Sequence, residues 1–208
     1  MVFRTNLPDT ASVAISRGDE RLFAPSAERN SKPIINLIKR IAPKSGEALE
    51  IASGTGQHIT KLALALPNLS WLPSEVEEKR LKSITAWIKN ENLQNIKSPL
   101  YLDATASGWA KNIPRYDFIL LVNLLHLISW NETKTLICEL SKALKTKGVA
   151  LIYGPFMRNG QLTSEGDQNF HTSLIQTDPD IGYKNDSDMR KLFFNEGLLL
   201  LETVEMPA

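Results

Sequence analysis

Residues 49–59 read LEIASGTGQHI. An apolar triplet carrying Glu50 runs into a turn with Gly54 and Gly56. The turn leads directly into QHITKLALALP, where Ile59, Leu62, Ala63 and Leu66 fall on one helical face. Strand, glycine turn and helix in this order present free backbone N–H groups at the helix start, and glycine admits a ligand without a Cβ in its way. Such a turn holds a dinucleotide, a phosphate, an adenosine cofactor such as S-adenosylmethionine (SAM), or nothing beyond its own chain.

Outward from that unit the chain alternates. Before it, SKPIINLIKRIAP predicts a helix with Ile34, Leu37, Ile38 and Ile41 aligned, Ser31 as its cap and Pro33 in its first turn. After it, LSWLPSE, SPLYLDA, YDFILLV, VALIYGPF and LLLLETVEM read as further strands. The segments EEKRLKSITAWIKNENL, NETKTLICELSKALKTKG (ended by Gly148) and SDMRKLFFNEG read as helices between them. Strands alternating with helices of about 10–15 residues imply crossover units, and near-continuous apolar strands imply burial on both faces. The expected fold is a doubly wound α/β domain with a mostly parallel sheet over residues 26–208, preceded by an irregular segment over 1–25. Ligands of such sheets bind beyond the carboxyl ends of the strands, near the switch in strand order. Residues 157–186 break the alternation, as a lid, a substrate-binding segment or an idle excursion.

Composition narrows the partners. With 208 residues, 42% hydrophobic and 23% charged, the chain suits one soluble domain with a sizeable core. A net charge of +1 gives no reason to expect nucleic acid or a membrane surface. No stretch approaches the roughly 20 apolar residues that cross a bilayer, and residues 1–23 lack the apolar centre of a signal peptide. The lone Cys138 allows no intrachain disulfide and sits in a helical run as a core residue. A cytoplasmic protein with no metal site is expected.

The ligand follows from what surrounds the glycines. No G-K-[ST] follows, which excludes a Walker phosphate loop. A dinucleotide turn wants a third glycine where Ile59 stands, because a larger side chain obstructs close helix–sheet packing. Glu75, ending the second strand about 20 residues on, can accept hydrogen bonds from ribose hydroxyls in either nucleotide class. Glu50 favours a cationic ligand and repels a pyrophosphate, and SAM is cationic at its sulfonium and amino groups. Asp103, ending the third strand, is in reach of an adenine ring. There is also no room for the separate catalytic domain a dehydrogenase usually carries. SAM is therefore the expected cofactor.

These segments resemble a known family. LEIASGTGQHI, WLPSE, LDAT and YDFILLVNLLHLI resemble the successive motifs of class I SAM-dependent methyltransferases, with Ala52 at the first glycine of the common E-x-G-x-G-x-G form. FAPSAERNSKPI, NLLHLISW, YGPF, TSEGDQNFHTSL and the closing MPA are similar to the domain of unknown function 938 family, from Phe23 almost to the end. The resemblance implies a Rossmann-like methyltransferase fold in which Glu50 holds the methionine end, Gly54 and Gly56 admit the cofactor, Glu75 takes the ribose and Asp103 the adenine. Asn123 is a candidate on the substrate side and is counted with the cofactor contacts. His126 follows the fourth strand, where methyltransferases often place residues beside the reacting methyl, as an acceptor-side base or a histidine packed after a strand. Arg29, Asn30 and Tyr153 are candidates for substrate binding, with a solvated arginine and a core tyrosine as the plainer readings. His58 reads as structural.

The departures from the family pattern are Glu75 for Asp, Lys184 and Asn185 for an Arg-Asp pair, and Phe170 and His171 for Phe-Asp. The family continues past MPA into a last antiparallel strand between the fifth and sixth. That strand is absent from this sequence, so a truncated or compensated sheet is expected, with a homodimer through the exposed edge as one outcome. The expected function is methyl transfer from SAM to a small molecule or protein side chain. A non-catalytic SAM-binding or scaffold protein is the alternative, and an NAD-binding oxidoreductase a weaker one.

Overall fold

A computed structural model describes residues 7–206. Two short strands, β1 (Ile15–Ser16) and β2 (Leu22–Phe23), pair antiparallel ahead of helix α1 (Pro25–Ile41). The alternating core follows as β3 (Gly46–Ile51), α2 (Gln57–Ala65), β4 (Leu69–Glu75), α3 (Glu78–Glu91), β5 (Leu100–Tyr101), β6 (Tyr116–Val122), α4 (Trp130–Ala143) and β7 (Leu144–Tyr153). Beyond it lie β8 (Phe156–Met157), α5 (Glu165–Thr177), β9 (Lys184–Asn185) and α6 (Asp186–Asn195). The five central strands form one parallel sheet in the order β5-β4-β3-β6-β7. Strand order reverses between β3 and β6, which puts the crevice for a ligand at their carboxyl ends.

Both faces of the sheet are covered, as the apolar strands require. Along β6, Phe118 and Leu120 pack with Ile34 and Ile38 of α1, Ile59 and Leu62 of α2 and Ile84 of α3. Ile119 and Leu121 pack on the other face with Leu136, Ile137 and Leu140 of α4 and with Met189 and Leu192 of α6. Alternate side chains of a strand point to opposite faces, so each residue of this strand has a core to enter. Each such burial is worth about 1.5–3 kcal/mol relative to exposure. Strand β3, paired with β4 and β6 and with residues in both cores, is therefore held from every side.

Several local expectations differ from what forms. Helix α1 begins at Pro25 with Ala24 as its cap, seven residues earlier than Ser31 as a cap would place it. The Ala24 N–H is taken by Gln57 Oε1 at 2.5 Å, and Pro25 needs no donor at the first helical position. Ser31 instead lies inside the helix and donates its hydroxyl back to the Ala27 carbonyl, and Pro33 is an interior proline that forfeits one helical hydrogen bond. Helix α4 ends at Ala143 rather than Gly148, because Leu144 pairs with Tyr116 and the strand then shifts register before Val149 pairs with Phe118. Lys147 takes a left-handed φ of 67° within that irregular stretch.

The N-terminal segment carries the β1–β2 pair where irregular chain was expected. Residues 157–186 are equally organised, holding α5 and the parallel β8–β9 pair. Finally, LLLLETVEM forms no strand. Leu198 packs on the α4 face and Met206 on the α1 face, with Glu202 paired to Arg40 and Glu205 to Arg158 on the way. Leu199 and Leu201 are 83% and 71% exposed, since no neighbouring strand among the described residues offers them a ladder or a covered face. Pro207 and Ala208, the end of the MPA motif, lie outside the described residues.

Candidate functional site

The turn after β3 is held by hydrogen bonds from the next strand. Ser53 N donates to the Ser74 carbonyl at 2.8 Å, and Ser74 returns its N–H to Ser53 Oγ at 3.1 Å and its hydroxyl to the Glu50 carbonyl at 2.9 Å. Gly54 N donates to Glu75 Oε2 at 2.9 Å, while Val76 N donates to Oε1 at 2.8 Å. Glu75 is thus fixed against the glycine turn by two backbone donors. Burial raises its pKa, against the Val76 N–H, the Arg80 charge and the Gly54 N–H.

The two glycines differ in what they require. Gly56 has a φ of +93°, and a Cβ there would meet the Ile84 backbone Cα at 2.9 Å, so this glycine lets α2 pack on α3. Gly54 has a φ of +59°, and a Cβ there would meet only Arg80 Nη1, at 3.5 Å. Close approach to the backbone is open at Gly54 alone. Ala52, at the position of the family's first glycine, is also left-handed, with a φ of +54°.

Glu50 is the anomaly of the site. It is 1% exposed, and its Oε2 has no hydrogen-bond partner. Burial pushes its pKa up to about 8; the Ser53 hydroxyl opposes this and the neighbouring Glu75 adds to it. An unpaired carboxyl oxygen beneath the glycine turn can accept a hydrogen bond or meet a cationic group, which would favour its ionised form. Asp103 follows β5 and accepts at Oδ1 from Thr105 N at 2.9 Å and Thr105 Oγ1 at 2.6 Å, which aligns it beyond the strand end. Asn123 sits at a left-handed φ of 56° directly after β6, and its N–H extends the ladder to the Tyr153 carbonyl at 2.8 Å. Glu50, Glu75, Asp103, Asn123 and Tyr153 therefore share the carboxyl edge of the sheet.

The other sequence candidates divide. Arg29 and Asn30 lie within α1 rather than ahead of it, because the helix starts early. Asn30 is buried with its Oδ1 at 2.7 Å from His58 Nε2, and it also hydrogen-bonds the Tyr153 hydroxyl. Asn30, His58 and Tyr153 form one polar network joining α1, α2 and β7. Burial lowers the His58 pKa to about 4, so it stays neutral. Arg29 is exposed near Tyr153. His126 is 6% exposed, edge-on to Phe170 at 5.6 Å and Tyr183 at 6.2 Å, with Nδ1 unpartnered. Its pKa is lowered to about 4, by burial first and by the Lys184 charge second.

Residues 156–186 fold onto this histidine. Gly182 N donates to the His126 carbonyl at 3.0 Å, and the Lys184 ammonium donates to the Ile128 and Gly182 carbonyls at 2.5 and 2.9 Å. The Tyr183 hydroxyl donates to Asp167 at 3.0 Å, and Tyr183 N donates to His171 Nδ1 at 3.0 Å. Lys184 and His171, two of the departures from the resembled pattern, are thus both engaged.

Residues 21–208 match the family described as a protein of unknown function, DUF938. The chain belongs to that family. The fold of this DUF938 protein is that of the class I methyltransferases, and three solved structures show the likeness. An O-methyltransferase family protein from Burkholderia thailandensis is 15% identical, with a TM-score of 0.72 over 84% of this chain and 53% of that one. The mitomycin 7-O-methyltransferase MmcR is 14% identical, with a TM-score of 0.73 over 88% and 51%. The calicheamicin-biosynthesis methyltransferase CalO1, in its SAH-bound form, is 14% identical, with a TM-score of 0.66 over 88% and 51%. The DUF938 chain thus spans about half the length of these structures.

Three contributors to the site gave no sequence signal. Ser53 and Ser74, 21 positions apart, tie turn to strand, and nothing in periodicity marks a serine for that work. Arg80 reads as one charge on a charged helix, yet its Nη2 donates to the Ser12 carbonyl at 2.8 Å and hydroxyl at 2.7 Å. Among the described residues no His/Cys/Asp/Glu cluster could hold a metal ion, and no helix is long and apolar enough to cross a membrane.

Proposed function

We propose that this DUF938 protein is a SAM-dependent methyltransferase acting on a small molecule or a protein side chain. The observation that carries the reading is the unpartnered, buried Oε2 of Glu50 beneath a turn whose one open approach is at Gly54. Glu75 and Asp103 at the ends of the next two strands supply acceptors for a ribose and an adenine amino group. SAM, when bound, supplies a methyl group already activated on a sulfonium.

The protein's share is then placement. Glu50 takes the amino or sulfonium end, Gly54 admits the ligand to the backbone, and Glu75 orients the ribose. Asn123 and Tyr153 border the acceptor side at the ends of β6 and β7. A neutral His126 accepts the acceptor's proton, and the Phe170–Tyr183 cluster excludes water around it. Orientation and dehydration of this kind account for several kcal/mol of barrier lowering in transfers between bound partners. Arg29, exposed beside Tyr153, would bind an anionic group of the acceptor.

Two binding titrations test the cofactor, one with SAM and one with NAD. Binding of NAD without SAM ends this reading. Ile59, fully buried in the α1–α2 core where a dinucleotide turn wants glycine, supports SAM. Transfer of labelled methyl groups to acceptors in a lysate then separates an enzyme from a SAM-binding scaffold, and His126→Gln lowers transfer while sparing SAM affinity. A homodimer would pair two copies along the outer edge of β7, and sedimentation velocity decides it.

A further inference from the structure

The N-terminal segment is tied to the cofactor turn. Leu22 N donates to Ser83 Oγ at 2.8 Å, and the Ser83 hydroxyl donates to the Thr55 carbonyl in the turn at 2.7 Å. Trp87 Nε1 donates to the Leu22 carbonyl at 3.0 Å, while Arg17 and Arg21 lie over the Trp87 ring at 5.8 and 5.1 Å. Residues 7–24 are therefore a strap laid along α3 toward the glycine turn.

Arg80 stands where strap and turn meet. Its Nε pairs with Glu77 at 2.8 Å, its Nη2 takes both the carbonyl and the hydroxyl of Ser12, and its Nη1 is the nearest group to the open face of Gly54. Its charge also acts on Glu75. Ser12 holds a left-handed φ of 58°, a conformation that a non-glycine residue keeps only when its surroundings impose it. The adjoining Ala11 is buried with Leu174, Ile181 and Tyr183, so the strap also packs on the segment that covers His126.

We propose that Arg80 is a positioning residue that couples cofactor occupancy to closure of the strap: its guanidinium clasps Ser12 on one side and flanks the ribose position, between Gly54 and Glu75, on the other. A ligand seated there orders the guanidinium, and the ordered guanidinium orders residues 11–23. The coupling rests on the SAM reading of the same site.

The test combines calorimetry with hydrogen exchange on the full chain, with and without SAM. In the unsubstituted protein SAM slows exchange in peptides covering residues 11–23. In Arg80→Ala the SAM Kd rises about tenfold or more, as loss of a charged donor implies, and the slowing disappears. Arg80→Lys recovers part of the affinity through its charge but not the slowing, because an ammonium cannot span Ser12 and the turn as the planar fork does. Ser12→Gly removes the hydroxyl, suits the left-handed backbone, and weakens the slowing without loss of folding. No SAM binding by the unsubstituted protein overturns the cofactor reading and the coupling with it. SAM binding in which Arg80→Ala keeps both affinity and slowing overturns the coupling alone.

Discussion

The backbone N–H of Gly54 donates to Oε2 of Glu75 at 2.9 Å, so the turn after β3 and the acid ending β4 are one unit. Replacing Glu75 by Ala removes the proposed ribose acceptor and leaves the Gly54 N–H without this partner. A charged hydrogen bond is worth about 1.5–3 kcal/mol, so the SAM Kd should rise about 10- to 100-fold in calorimetry. Glu75→Gln keeps an acceptor for Gly54 and should lose less. Equal affinity in all three proteins would show that Glu75 holds only the turn.

Glu50 makes stability depend on pH in an unusual direction. Its pKa lies at about 8 in the fold against an ordinary 4.5, so the folded protein keeps a proton that the unfolded chain has released between those values. Stability falls as pH rises through that window. His58 and His126, lowered from 6.5 to about 4, act oppositely but only below pH 6.5. Between pH 6.5 and 8 the Glu50 effect stands clear of them and amounts to about 2 kcal/mol, or about 4–8 °C in Tm for a chain of this size. Glu75, also raised by burial, acts in the same direction as pH rises above its ordinary 4.5. Glu50→Gln should flatten most of that decline in thermal scans of the ligand-free protein.

How much of this was legible in the sequence depended on the range of the interaction. The strands β3, β4 and β6 were read from apolar runs because burial on both faces needs no information beyond the run itself. The acids at strand ends were found for the same reason, since a strand's end fixes where its last residue sits. Helix α1 was mis-started because Gln57, 33 positions from Ala24, supplies the acceptor that Ser31 was expected to provide. LLLLETVEM has a strand's composition, but a strand needs a neighbour to pair with, and composition does not report one. The pairing of Arg80 with Ser12 across 68 positions had no local signature at all.

Gly54 and Gly56 should separate binding from folding. Gly56→Ala drives a Cβ onto the Ile84 backbone and strains a φ of +93°, costing about 2–5 kcal/mol and about 4–20 °C in Tm. Gly54→Ala meets nothing closer than 3.5 Å and costs about 1 kcal/mol for its left-handed backbone. Its Cβ nonetheless occupies the approach to the turn, so SAM binding should fail in a protein that still melts cooperatively. Unimpaired binding would place the ligand elsewhere.

Asn30 links helix α1 to His58, and the bond at 2.7 Å uses the protonated Nε2 of a histidine that burial keeps neutral. Asn30→Ala leaves the buried His58 N–H short of a partner and removes one contact of the half-buried Tyr153 hydroxyl. The expected loss is about 1–3 kcal/mol in urea denaturation at pH 7. If Asn30 served the acceptor alone, stability would be unchanged and only methyl transfer would fall.

Ala52 offers the opposite test, a substitution that should improve the fold. Its φ of +54° lies in the left-handed region, where a Cβ crowds the following carbonyl at a cost of about 1–2 kcal/mol. Glycine takes that conformation freely, although it also gives the unfolded chain more freedom and so returns part of the gain. Ala52→Gly should therefore raise the unfolding free energy by a net amount of about 0.5–1 kcal/mol, seen as a higher urea midpoint with an unchanged slope. The side chain packs against the α4-side core, so repacking there sets the upper limit. A fall in stability would mean that this packing outweighs the backbone strain, and that alanine stands at this position for its methyl group.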